Sequence, residues 1–261
     1  LQYVPSSRVL ARLQQREKSP SERALLLGAP TLEQSAIKML SMARQIPAEG
    51  VLKLSSLFPE LPGSARELSN ISRALKRKGI LFNQHTGSEA TETILREAGQ
   101  GQHYKLVHIA AHGVSDAPRW RDGQPEISVE QPALLLARDE NAPDDGIWRL
   151  DEILSHGVSA RLVILSGCTT GRGWRTLGDG AYGLSGAFLS NGSQAVMASL
   201  WSVSDKATTA LMTRVYDRLD ADADDAARAL RRAQLDIMKL KSRSGSYMPP
   251  FYWAAFRVIG I

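Results

Sequence analysis

Two stretches, "KLVHIAAHGVSD" (Lys105–Asp116) and "RLVILSGCTTGRG" (Arg161–Gly173), decide how this chain folds. Each is an apolar run that stops at a reactive side chain beside glycine: His112-Gly113 in the first, Gly167-Cys168 in the second. A short continuous apolar run with such a break reads as a strand buried on both faces. The pattern recurs on either side. "RALLLGAP" (Arg23–Pro30), "ILFNQ" (Ile80–Gln84), "PALLLA" (Pro132–Ala137) and "AVMASLW" (Ala195–Trp201) read as strands, and "FYWAAFRVIG" (Phe251–Gly260) as a last, aromatic-rich one.

Helical patterns alternate with these runs. Thr31–Gly50, Glu89–Glu97 and Leu177–Asn191 carry apolar residues at helical spacing, and Ile147–Leu154 suits a short helix or turn. Ser64-Ala65-Arg66-Glu67 has the form of a capping box, with Leu68, Ile71 and Leu75 following on one face and Gly79 closing the helix. Ala207–Leu219 and Ala226–Leu240 are amphipathic. Buried strands alternating with helices predict an α/β fold, a mainly parallel sheet flanked by helices on both faces. Chemistry in such sheets sits beyond the carboxyl ends of the strands. His112 and Cys168 both occupy that position.

Composition narrows the classes. A chain of 261 residues, 43% hydrophobic, builds one large core or two modest ones. No apolar stretch approaches the roughly 20 residues of a membrane span, and the start lacks a signal-peptide pattern. Leu1 opens the chain without an initiator Met, so a piece of a longer protein is expected. One cysteine excludes an internal disulfide and suits a reducing, cytoplasmic compartment. A net charge of +5 invites a nucleic-acid reading. The basic residues are spread over helix faces and loops, however, so direct nucleic-acid binding is not expected.

The pair of reactive residues has a coherent chemistry. A thiolate, not a thiol, is the nucleophile. A neighbouring imidazole can take the proton during attack and return it to a leaving amine. The backbone amides of Gly113 and Cys168 could form an oxyanion hole, each donor worth about 3 kcal/mol of transition-state stabilisation. Acyl transfer through a thioester follows, with water completing hydrolysis. The plain alternatives are a buried small hydrophobe at Cys168 and a hydrogen-bonded structural histidine at His112.

"YVPSS" (Tyr3–Ser7), "ALLLGAP", "LVHIAAHG", "LVILSGCTTGRG", "GLSGAFLSNGSQAVMASLWSVSD" (Gly183–Asp205) and "FYWAAFRVIG" together resemble the CHAT-domain peptidases. These are bacterial, caspase-like relatives of separase often found beside tetratricopeptide repeats. His112 precedes Cys168 by 56 residues (168 − 112), close to the caspase spacing of about 50. The motif "SGCTTG" departs from the caspase Gln-Ala-Cys. The resemblance implies a caspase-like fold, a His112–Cys168 dyad, and no metal or organic cofactor. It also implies a protein substrate and control by a regulatory protein or an adjoining helical-repeat domain. Residues 1–22 then form a lead-in segment, the end of a linker from upstream repeats, and residues 23–261 the peptidase domain.

Further residues carry double readings. His108 lies four residues before His112 and on a strand shares its face, so it competes as base, with a structural role otherwise. Asp205 stands where separase-like relatives place an acidic residue near the pocket for the substrate side chain preceding the cut. There it could pair with Arg or Lys; otherwise Ser204 or Asp205 caps the helix beginning at Lys206. Asp179 has the same two readings, substrate binding or cap. Thr169 and Thr170 read as turn formers. The polar stretch Val114–Gln131 is expected to be an irregular, mobile lid or partner-sensing loop.

The sequence therefore predicts a cysteine endopeptidase acting on proteins. The competing reading is a catalytically silent caspase-like binding or scaffold module. A nucleotide site is excluded: "LLLGAPTLEQS" has neither G-x-G-x-x-G nor G-x-x-x-x-G-K-[ST].

Overall fold

A computed structural model describes residues 22–32, 61–101, 103–121, 124–139, 141–142, 144–167, 183–201, 203–220, 223, 225–240 and 245–260, with backbone alone for 115–121 and 124–130. The expected helix over Thr31–Gly50 falls almost wholly outside them, as do residues 1–21.

Strand β1 (Arg23–Pro30) lies beside β2 (Leu81–Gly87) and β3 (His103–Ala110), all parallel. Next to β3 come β7 (Ser159–Leu165) and β8 (Ala195–Ser199), again parallel, and then β9 (Phe256–Gly260), antiparallel. The order β2-β1-β3-β7-β8-β9 puts β3 and β7 side by side at the centre of a six-stranded sheet. The expected mainly parallel sheet is present, and helices cover both its faces.

Side chains alternate across the sheet and build two cores. On one face Leu26, Leu106, Leu162 and Met197 pack under α1 (Pro62–Arg77), α5 (Asp205–Arg218) and α6 (Ala226–Met238). On the other, Leu27, Val107, Val163 and Val196 pack under α2 (Glu92–Gly99), α3 (Leu150–His156) and α4 (Leu184–Ser190). Among the described residues no helix is long and apolar enough to cross a membrane.

Several local expectations are corrected. The described part of Val114–Gln131 is strand and not loop: β4 (His112–Arg121) runs antiparallel to β5 (Gln124–Leu135), and β6 (Ile147–Arg149) completes a three-stranded sheet. Two irregularities in the β4–β5 register break the alternation by which a strand is recognised. The capping box at Ser64 is not formed. Helix α1 begins earlier, at Pro62, whose fixed φ suits a first turn, and Ser64 and Glu67 are both buried. At the other end of the chain, Pro250–Trp253 forms a short helix, α7, and only Phe256–Gly260 is strand.

One buried carboxyl has a measurable consequence. Glu92 opens α2 behind the N-cap Thr91 and is 3% exposed, and its Oε1 has no hydrogen-bond partner among the described residues. Burial pushes its pKa from 4.5 up to about 9, helped by Glu152, Asp145 and Asp144 and opposed by Arg149. Between those two values the folded chain holds a proton that the unfolded chain has released. Stability therefore falls as pH rises through that window. Glu92→Gln keeps the neutral shape and removes the titration. Its melting temperature should match the wild type near pH 4.5 and exceed it increasingly up to pH 9; a gap that does not change with pH would contradict this.

Candidate active site

β3 and β7 leave the sheet together. Ile109 pairs with Leu165 at their carboxyl ends, and the Ser166 amide donates to the Ile109 carbonyl at 2.8 Å. Two residues beyond β3, after Ala111, His112 opens β4 opposite Leu135 and is 9% exposed. Two residues beyond β7 lies Gly167, bonded to Cys168. His112 and Gly167 line one cavity of about 40 Å³ together with Ser64, Ser166, Ser199, Asp205 and Thr208. Cys168, Thr169, Thr170 and Asp179 lie outside the described residues. Gly113 follows His112 in β4, opposite Leu134. Among the described residues, no group of three or more His, Cys, Asp or Glu is placed to hold a metal.

Asp205 is brought to the same cavity by α5, and its role in the fold is specific. The helix starts at Asp205, not Lys206, and Ser204 supplies its cap by accepting from the Ala207 amide at 3.3 Å. The Asp205 carboxylate turns away from its own helix. Its Oδ2 accepts from the Gly63 amide of α1 at 2.5 Å, replacing the side-chain cap that Leu61 cannot offer. A Cβ at Gly63 would run into that carboxylate and push it from its place. Half-buried Asp205 thus joins two helices at the cavity wall.

His108 serves the core. It is fully buried, its Nε2 lies 2.8 Å from Glu67 Oε1, and its Nδ1 lies 3.1 Å from the Tyr216 hydroxyl. Burial, reinforced by the Glu67 charge, pushes the Tyr216 phenol well above its ordinary pKa, so it stays neutral. Glu67, read as half of a capping box, is instead the buried partner of His108.

Ser199 was not singled out by the sequence, yet it is 1% exposed and its Oγ donates to the Gly167 carbonyl at 2.5 Å. A serine ending an apolar strand was the signal available, since the rest of "AVMAS" has no side-chain donor.

Comparisons with known proteins bear on this arrangement. The family profile described as the CHAT domain matches residues 1–261. Tetratricopeptide repeat protein 28 of Mus musculus is 32% identical over 109 residues, which is 42% of this chain and 4% of that protein. Among solved structures, the Arg specific cysteine proteinase gingipain R superposes with a TM-score of 0.52 at 10% identity, over 97% of this chain and 51% of that one. A further protease structure gives a TM-score of 0.52 at 11% identity, over 97% of this chain and 50% of the other. The chain thus spans about half the length of these solved proteins and a small part of the mouse protein. At such identities the structural likeness is one of fold, and that fold is caspase-like.

Proposed function

The chain belongs to the CHAT-domain family, and from that premise we propose that it is a cysteine endopeptidase acting on protein substrates through Cys168 and His112. The observation that carries this reading is the shared cavity. His112 and the residue bonded to Cys168 line one space at the carboxyl edge of a mainly parallel sheet.

In this reading His112 takes the thiol proton as Cys168 Sγ attacks the substrate carbonyl carbon. The carbonyl electron pair moves to oxygen, where the amides of Gly113 and Cys168 receive it. Collapse breaks the C–N bond, and His112 gives its proton to the departing amine. A thioester remains. Water then attacks, passing a proton to His112; the C–S bond breaks, the thiol is restored, and a carboxylic acid leaves. One peptide bond and one water become one acid and one amine.

Asp205, with Asp179, is proposed to bind a basic substrate residue before the cut. A carboxylate offers about four lone-pair sites, and the Gly63 amide uses one, so cap and substrate roles are compatible. Control by a regulatory protein or adjoining helical repeats belongs to the same proposal, supported by the likeness to a protein named for tetratricopeptide repeats. A cytoplasmic setting rests on the single cysteine.

The test is cleavage of a mixed peptide library, paired with a peptidyl-arginine acyloxymethyl ketone that alkylates an active thiol. Cleavage after Arg or Lys and labelling of Cys168 are expected. Asp205→Asn should lower the basic-over-neutral ratio of kcat/KM about 10- to 100-fold, the worth of a charge-assisted hydrogen bond. An intact library with Cys168 unlabelled would retire the peptidase in favour of a silent binding module. An unchanged profile in Asp205→Asn would leave that residue only its cap.

A further inference from the structure

We propose that Ser199 is a positioning residue for the oxyanion-binding amide of Cys168, an inference that rests on the peptidase reading above. The Gly167 carbonyl and the N–H of residue 168 belong to one planar peptide unit, pointing to opposite sides of it. A group that grips the carbonyl therefore fixes the rotation of the plane and the aim of the N–H. Ser199 grips it, through the 2.5 Å bond from its hydroxyl.

The grip is rigid at both ends. Ser199 closes β8, an interior strand, and pairs with Phe256 of β9. One residue earlier, the Ser166 amide is tied to β3 through the Ile109 carbonyl. The turn out of β7 is thus pinned by one neighbouring strand at Ser166 and by the other at Gly167, immediately before the nucleophile. Ser199 and Gly167 both line the cavity that His112 lines, so the bond sits at the proposed chemistry. Donation to the carbonyl also polarises the amide and makes its N–H a stronger donor. The role assigned to Ser199 requires no contact with substrate or thiol. It acts through the Gly167–Cys168 peptide.

The experiment compares the full chain with Ser199→Ala and Ser199→Thr in three readouts: kcat and KM on a cleaved library peptide, affinity for a peptide aldehyde, and the rate at which iodoacetamide alkylates Cys168. The aldehyde forms a hemithioacetal whose oxygen needs the hole, whereas the thiolate displaces iodide from iodoacetamide without forming an oxyanion. Ser199→Ala should lower kcat about 10- to 100-fold, the scale of a misplaced reacting group, with KM little changed. Aldehyde affinity should fall in parallel while alkylation stays within about twofold of the wild type. Ser199→Thr, which keeps the hydroxyl, should restore kcat. Unchanged kcat in a folded Ser199→Ala protein overturns the positioning role and leaves the peptidase reading standing. So does alkylation falling as much as aldehyde binding, which would mean general disruption; failure of Ser199→Thr to recover while it melts like the wild type does the same. A wild-type chain that neither turns over peptide nor binds the aldehyde overturns both.

Discussion

Replacing Cys168 with alanine should lower kcat/KM on the best library peptide by about 10⁴-fold or more, because the covalent route disappears and only binding and the oxyanion donors remain. His112→Ala should cost about 10²- to 10⁴-fold, the span of a lost general base. The two losses should not add, since thiol and imidazole act as a unit, and the double variant should match Cys168→Ala alone. The variants separate by pH. A thiol with no base ionises on its own near pH 8.5, so His112→Ala should recover activity as pH rises through that value, whereas Cys168→Ala should not. Steady-state kinetics on purified full chain between pH 6 and 9.5 read both effects. Cleavage by Cys168→Ala at the wild-type rate would remove the thiol from the mechanism.

The strands that carry the site were legible because burial on both faces leaves an unbroken apolar run, and the run ends where the chain leaves the sheet. "KLVHIAAH" and "RLVILSG" therefore announce β3 and β7 and the position of their carboxyl ends. That the two strands are neighbours was not written in either. It follows from the order β1-β3-β7-β8, which depends on where the crossovers pass. The pairing of β4 with β5 was hidden because register irregularities at Val114/Ala117 and Ala117/Arg119 interrupt the alternation of side chains along it. The contacts that organise the cavity have no local signature at all. Asp205 caps α1 from 142 residues away, and Ser199 reaches Gly167 across 32. In each case the local pattern named an available role, a helix cap or a strand end, while the fold chose the partner. Glu67 illustrates the hazard most clearly. Its spacing from Ser64 fitted a capping box, yet the helix starts at Pro62 and the carboxylate points into the core.

Glu67→Ala should be the most destabilising single change in the described core polar network, at about 3–5 kcal/mol, the cost of removing one member of a buried hydrogen-bonded pair. Its carboxylate is 2% exposed and His108 is fully buried, so water cannot replace the lost acceptor. The ring would keep only the Tyr216 hydroxyl, and a void would open where the carboxylate packed against it. Tyr216→Phe removes one bond and almost no volume, and should cost about 1–3 kcal/mol. The double change Glu67→Leu with His108→Leu removes both polar partners together and should recover most of the loss, because a buried pair gains little over a well-packed apolar substitute. Urea unfolding of the three variants gives this order directly. It also separates the two histidines by function: His108→Leu paired with Glu67→Leu should leave kcat/KM within about tenfold of the wild type at a temperature where both proteins are folded, since the ring is fully buried and is bonded to Glu67 of α1 and Tyr216 of α5. Collapse of activity in a stable double variant would place the buried triad in the chemistry and return His108 to contention as the base.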